Sequence, residues 1–295
     1  MLAIVGPTAV GKSALAMRVA GEIDAEIVSI DSGAVYRGMD LGTAKPSAQD
    51  RAKVRHHMID CVDPSRNLSV AEFQKAARLA IEQIRERGNG ALLVGGSGLY
   101  FRAVVDPLVF PPTDPVIREQ LYSDASRIGS RGLHDRLSSV DPISAAKIPA
   151  SNERRIVRAL EVVTLTGKKF SDFGLNWDKF ESIYKLRVVG LSLPRPALDR
   201  RIERRVDRLF EQGLVEEVEA LVANGYRASL TAVQALGYAQ VLEYLDGRIS
   251  LEQAIAETKG RTRRFARRQL TWFRADPRVE WFEDPDRAAR SLIGV

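Results

Sequence analysis

A chain of 295 residues that is 45% apolar is long enough to bury a substantial core and too apolar to stay disordered. Its only cysteine, Cys61, cannot form an internal disulfide, and one cysteine with three histidines argues against a structural zinc site, so a reducing cytoplasm is the expected setting. No apolar run is long enough to span a membrane, and the formal charge of +6 suits a polyanionic partner or plain solubility.

Leu2-Ala3-Ile4-Val5 reads as a short buried strand. It runs into Gly6-Pro7-Thr8-Ala9-Val10-Gly11-Lys12-Ser13, which fits G-x-x-x-x-G-K-[ST], and a helix follows from Ala14. In that strand–loop–helix context the glycines let backbone N–H groups turn around an anion at a helix N-terminus. Lys12 is placed to reach the terminal phosphates and Ser13 to hold a magnesium ion, the pattern of a nucleotide-triphosphate site. So early a loop leaves no room for a cleavable signal peptide, and so few residues before it raise the question of a longer upstream start.

Glu26 to Ile30 is a second strand, ending at Asp31-Ser32. The carboxyl ends of parallel strands are where α/β proteins bind ligands, so Asp31 is a candidate general base; Asp and Ser also cap turns well. Residues 36–46 are glycine-rich and irregular, a pattern of functional loops. His56-His57 read as structural or surface residues, since adjacent residues cannot share a helix face and no further ligand pattern accompanies them. Val70, Phe73, Ala77, Ile81 and Ile84 predict an amphipathic helix over 70–87. Ala91 to Val94 is another buried strand, followed by Gly95-Gly96-Ser97-Gly98. Many phosphate-loop NTPases carry an Asp at this juncture; glycines there permit close approach of a ligand, with the Ser97 hydroxyl alongside.

Three prolines between Phe110 and Pro115 mark a boundary. Residues 116–182 have helical patterning, with Ile117, Leu121 and Ala125 on one stripe and Arg154, Arg155 and Arg158 on a second helix. Lys185 to Leu193 returns to strand pattern. The expectation is an α/β fold with a phosphate-loop NTPase-like parallel sheet flanked by helices: a discontinuous core over 1–113 and 183–295, and a helical insertion over 114–182. From residue 197 the chain is mostly helical, with one core stripe running from Ile202 to Leu214. Gln234 to Tyr238 interrupts it, and a helix opens again near Leu251. Lys259 to Arg274 carries Lys259, Arg261, Arg263, Arg264, Arg267, Arg268 and Arg274 with no acidic residue. Phe265, Gln269 and Trp272 share one face of that helix, while Arg261, Arg264 and Arg268 share another. Arginines beside aromatic rings suit RNA contact; a solvated charged face has the same pattern.

As an ordered set these stretches resemble the tRNA dimethylallyltransferases, or tRNA isopentenyltransferases. The matching blocks are Gly6 to Ser13, Asp31-Ser32 with Tyr36, Met39 to Pro46, and His56 to Asp60. They continue with Val94 to Ser97 with Tyr100, Asn152 to Glu161, Gln234 to Tyr238 and Arg263 to Arg274. The resemblance implies transfer of a dimethylallyl group from dimethylallyl diphosphate to the exocyclic amine of the adenosine 3′ of the anticodon. It implies tRNAs reading codons that begin with U and magnesium as cofactor; composition gives the cytoplasmic setting and the lack of a membrane partner, and since nothing demands a dimer a monomer is the expectation. Diphosphate would be held by Gly6, Pro7, Thr8, Ala9, Val10, Gly11, Lys12 and Ser13, with Asp31, Lys12 and Thr8 catalytic. The tRNA anticodon stem-loop would contact Asp31, Ser32, Gly33, Ala34, Ser97 and Arg118. It would also contact Arg154, Arg155, Ile156, Val157 and Arg158, then Gln234, Ala235, Leu236, Gly237, Tyr238 and Ala239. The last expected contacts are Arg267, Arg268, Gln269, Leu270, Thr271, Trp272, Phe273 and Arg274. Two departures stand out: Ala34 sits where many members carry Gln, and Ser97 where Thr is usual.

The chemistry asks for the same parts. An adenine amine, its lone pair delocalised into the ring, must lose a proton as it attacks, so it needs a base. A departing diphosphate needs concentrated positive charge. A small-molecule kinase would share the loop and Asp31 but would lack a use for the late arginines. An RNA-binding module with a vestigial loop would not need Asp31.

Overall fold

The strands that surround the phosphate loop are buried because their runs are apolar on both faces: Ala3, Ile4, Val5, Leu92, Leu93 and Val189 are fully excluded from solvent. The computed structural model describes residues 1–174, 179–226 and 234–294; every expected site residue is among them, while 175–178 and 227–233 of the two expected domains lie outside. The chain runs β1 (Leu2–Val5), α1 (Lys12–Glu22), β2 (Ala25–Ser29), α2 (Ala48–Lys53), β3 (His56–His57), α3 (Val70–Glu86), β4 (Gly90–Gly95) and α4 (Gly98–Val105). There follow α5 (Pro115–Val140), α6 (Pro142–Lys147), α7 (Glu153–Thr166) and a 3-10 turn at Phe170–Gly174. The chain then continues through β5 (Arg187–Leu191), α8 (Arg195–Glu211), α9 (Leu214–Ala223), α10 (Tyr238–Leu245), α11 (Leu251–Arg274), β6 (Val279–Phe282) and α12 (Pro285–Ile293).

The six strands form one parallel sheet in the order β3-β2-β4-β1-β5-β6. Register pairs Val5 with both Gly95 and Gly190, so the loops after β1, β4 and β5 leave from one level. After β1 the chain proceeds toward β2 on one side, and after β4 it crosses toward β5 on the other. The loops leaving these two adjacent strands therefore diverge, which opens a crevice at their carboxyl ends.

Sequence explains the flanking helices. On α3, Phe73, Ala77, Ile81 and Ile84 are buried at the spacing read from the pattern, and Ser69 with Glu72 forms a capping box whose loss costs about 1 kcal/mol. The stripe from Ile202 to Leu214 is divided: α8 stops at Glu211, Gly213 turns with φ 101°, and Leu214 opens α9.

Two compact units result, Met1–Asp106 with Ser182–Val295, and Pro107–Glu181. The second unit starts seven residues before the boundary expected at 114, and physical tethering explains the difference. Arg158 donates to the carbonyls of Pro111 and Pro112, and Glu161 accepts the Asp114 N–H, so the proline segment belongs to the helical unit. That unit is closed by Leu121, Leu133, Leu137, Ile156 and Leu160 from α5 and α7. Gly129, at φ 76°, breaks α5 in the middle.

Candidate active site

The loop from Gly6 to Ser13 follows β1, and two of its glycines are required by geometry. Gly6 has φ 138° and backs onto Leu191 of β5: a Cβ there would lie 2.5 Å from the Leu191 carbonyl oxygen. Gly11 caps α1 in the left-handed region, at φ 112°. The N–H groups from Ala9 to Ser13 have no protein partner among the described residues, so the loop presents a run of donors at a helix N-terminus. The Thr8 N–H is different: it donates to Gln269 Oε1 at 2.8 Å. Lys12 Nζ donates to the carbonyls of Gly6 and Pro7 at 3.0 and 2.6 Å, folded back over the loop. Burial pushes the Lys12 ammonium down to about 7; Asp31 opposes that shift and Arg205 adds to it.

Asp31 stands just beyond β2. Its Oδ1 accepts the N–H of Gly33 at 2.8 Å and of Ala34 at 3.4 Å, which fixes the turn and leaves Oδ2 for another partner. A cavity of 780 Å³ joins Asp31 and the turn after it to Thr8, Lys12 and Ser13. Gln234, Ala235 and Leu236 line it too, as do Arg268 and Gln269 and the segment from Gly42 to Pro46. That segment is anchored from below: Lys45 Nζ, almost wholly buried, donates to the Tyr36 carbonyl and to Asp40 and Asp60. The Gly42 N–H donates to the Tyr238 hydroxyl.

Arg205, one of the six arginines concentrated between Arg195 and Arg208 and not among the expected site residues, also lines the cavity. Burial lowers its pKa and the nearby Asp31 carboxylate works against that. The available signal was spacing: Arg201 and Arg205 are one turn apart beside the buried stripe of Leu198, Ile202 and Val206, and Arg201 donates to the Val10 carbonyl. A run of six arginines hid which of them face inward.

Of the glycines at the end of β4, Gly95 lines the cavity, while Gly96 and Gly98 make room for another part of the chain. A Cβ on Gly96 would collide with the Gln269 amide, and one on Gly98 with the Trp272 ring, so these positions admit side chains of α11. Ser97 is the N-cap of α4, its Oγ accepting the Tyr100 N–H at 3.4 Å. The histidine pair is also accounted for: His56 Nδ1 bonds with the Val54 carbonyl and His57 Nε2 with buried Glu26. Among the described residues no three His, Cys, Asp or Glu side chains gather as a metal site.

A family model described as IPP transferase matches residues 34–276. The chain belongs to the IPP transferase family. A tRNA dimethylallyltransferase of Moorella thermoacetica is 51% identical over 296 residues, covering 97% of this chain and 91% of the relative. The protein of that name from Carboxydothermus hydrogenoformans is 48% identical over 285 residues, covering 96% and 91%. Among solved structures, the full-length tRNA isopentenylpyrophosphate transferase of Bacillus halodurans is similar with TM-score 0.72 and 43% identity, over 99% of this chain and 94% of that one. A eukaryotic dimethylallyltransferase acting on tRNA is similar with TM-score 0.80 and 27% identity, over 95% and 73%.

Within this IPP transferase the side chains implied for tRNA contact divide sharply. Gln234, Ala235 and Leu236 border the cavity, but Tyr238 is fully buried and its hydroxyl donates to Glu217 at 2.6 Å. Gly237 caps α10, its N–H bonded to Gln240, and Ala239 lies in that helix's first turn. On α11, Gln269 and Phe273 point into the protein, whereas Arg264, Arg267, Arg268, Thr271 and Trp272 line a shallow outer groove. Leu270 packs on the core and Arg274 ends the helix, exposed. In the helical unit, Ile156 and Val157 are core residues, while Arg154 and Arg155 are exposed. Arg118 and Arg158 both pair with Glu161, at 2.9 and 2.7 Å. Helix periodicity makes the buried members necessary: a block taken whole from a helix includes its inner face.

Proposed function

We propose that this transferase moves a dimethylallyl group from dimethylallyl diphosphate to the exocyclic amine of the adenosine immediately 3′ of the anticodon. Its substrates on this reading are tRNAs that read codons beginning with U, and the protein acts as a cytoplasmic monomer. The observation that carries the proposal is the shared cavity: Asp31, a carboxylate with one unengaged oxygen, lines the same space as Thr8, Lys12 and Ser13 of a loop whose N–H groups from Ala9 to Ser13 have no partner among the described residues, in a member of this family.

In that reading the amides of Ala9 to Ser13 bind the diphosphate, and Lys12 and Arg205 add positive charge as the allylic C–O bond breaks. The Gly6 and Pro7 carbonyls take two of the three Lys12 ammonium donors, which leaves one for a diphosphate oxygen. The adenine amine forms the new C–N bond and gives its proton to Asp31 Oδ2; Gly33 and Ala34 hold the other oxygen and so aim it. The target base must leave the anticodon loop to enter the cavity, where the walls from Gly42 to Pro46 exclude water. Arg268 at the cavity rim, with Arg264, Arg267 and Trp272 outside, suits the phosphates and bases around it.

Magnesium fits this donor set. Ser13 offers one hydroxyl at the head of α1 and, among the described residues, no cluster of three carboxylate, histidine or cysteine side chains accompanies it, which suits an ion held mostly by diphosphate oxygens and water. When bound, the ion stabilises charge on the leaving diphosphate.

The test uses labelled dimethylallyl diphosphate, labelled ATP and unmodified tRNA in one incubation with magnesium. Allylic label on the tRNA is expected. Phosphate transferred to a metabolite, with the RNA unchanged, would overturn the proposal in favour of a kinase. Asp31→Ala should lower turnover by about 10²–10⁴ while leaving tRNA affinity intact; retained turnover removes Asp31 as the base.

A further inference from the structure

Gln269 lies in the stretch that the resemblance assigns to tRNA contact, yet its bonds lead elsewhere. The residue is only 6% exposed. Its Oε1 accepts the Thr8 N–H at 2.8 Å, and its Nε2 donates to the Gly96 carbonyl at 2.9 Å. Those partners belong to the loops that leave β1 and β4, just past the last paired residues, Val5 and Gly95. One primary amide therefore ties together the two diverging loops that form the crevice. The fit is chemically selective, because the site needs an acceptor for an N–H and a donor for a carbonyl on the same group. It is also sterically selective, because any Cβ on Gly96 would displace the amide.

We propose that Gln269 is a positioning residue for the phosphate loop. It takes up the Thr8 amide and so orients the following turn, leaving the amides from Ala9 to Ser13 aimed at the diphosphate. This rests on the reading of that loop as the diphosphate site. Arg268, the preceding residue, borders both the cavity and the outer groove. The two neighbours thus divide the work: Arg268 faces the RNA side and Gln269 the loop. A side chain engaged as Gln269 is would have to break two hydrogen bonds to one loop pair before reaching RNA.

The experiment measures three quantities on Gln269→Met and Gln269→Glu. They are the dissociation constant for inorganic pyrophosphate with magnesium, that for an unmodified anticodon stem-loop, and the split between KM and kcat for transfer. Gln269→Met, similar in size but unable to make either bond, should weaken pyrophosphate about tenfold and raise the KM for dimethylallyl diphosphate in parallel, with stem-loop affinity within about twofold. Gln269→Glu keeps the acceptor for Thr8 but opposes a carboxylate to the Gly96 carbonyl. Its kcat/KM relative to wild type should therefore rise as pH falls from about 8 to 6, when the carboxyl can take up a proton and donate again. This pH-dependent rescue keeps the test decisive should the methionine variant fold poorly. Unchanged pyrophosphate binding with weakened stem-loop binding would overturn the inference and return Gln269 to RNA contact. Wild-type protein that neither binds pyrophosphate nor transfers the allyl group would instead overturn the function proposed above.

Discussion

Two helices carry arginine clusters that look alike in sequence and are used in opposite ways. In the helical unit, Arg158 of α7 and Arg118 of α5 converge on Glu161, a carboxylate with no solvent exposure, which also accepts the Asp114 N–H. Their charge is consumed in holding that unit's proline segment to its helices. On α11, Arg264, Arg267 and Arg268 form no ion pair among the described residues and stand with Trp272 around an open groove. Neighbours on that helix differ again: Arg261 pairs with Glu257, Arg263 with Glu203 and Lys259 with Asp207. Charge available for a polyanion is therefore a property of single side chains and their partners, and counts along a run do not supply it.

The comparison breaks first at Glu161. Glu161→Gln leaves two half-buried guanidinium groups without their counter-charge, so a loss of about 3 kcal/mol is expected in urea unfolding, the lower end for a disrupted buried pair because both arginines reach solvent. A loss below about 1 kcal/mol would mean the arginines were never committed to this contact.

Arg264→Ala with Arg268→Ala should do the reverse, leaving stability within about 0.5 kcal/mol but flattening the salt dependence of tRNA binding. With two fewer phosphates neutralised, the log–log slope should fall in magnitude by about 1.4. An unchanged slope would make that face merely solvated.

A subtler effect concerns Lys12. Its free-state pKa near 7 will rise when diphosphate brings negative charge, so binding above pH 7 takes up a proton. Corrected for the ligand's own titration, pyrophosphate affinity should decline by up to about tenfold per pH unit as pH climbs above 7 and level off below it. Calorimetry in buffers of different ionisation enthalpy would detect the proton directly; no uptake at pH 8 would refute the shift. The smallest effect belongs to Arg261→Ala, an exposed pair member, which should cost less than about 0.5 kcal/mol and leave the salt slope alone.

Much of this site is legible in the amino-acid order. A phosphate loop is contiguous, so Gly6 to Ser13 announces its own geometry, and Asp31 is placed by one strand and one turn. The parallel sheet and the helical insertion follow from the alternation of short apolar runs and helical stripes. The turn from Gly96 to Gly98 is visible as well, but its purpose is not, because a glycine states only that something comes close. That the visitor is Gln269 or Trp272 depends on a helix more than 170 residues later in the chain. Tyr238 and Ile156 lie within the stretches implied for RNA contact, yet packing turns them inward. Local chemistry is thus written in the residues themselves: the glycine-framed loop before α1, the carboxylate at a strand end, the basic helices. Folding settles which arginines are spent on Glu161, which remain open, and how Gln269 links two loops, because those outcomes depend on partners that only the folded chain brings within hydrogen-bond reach.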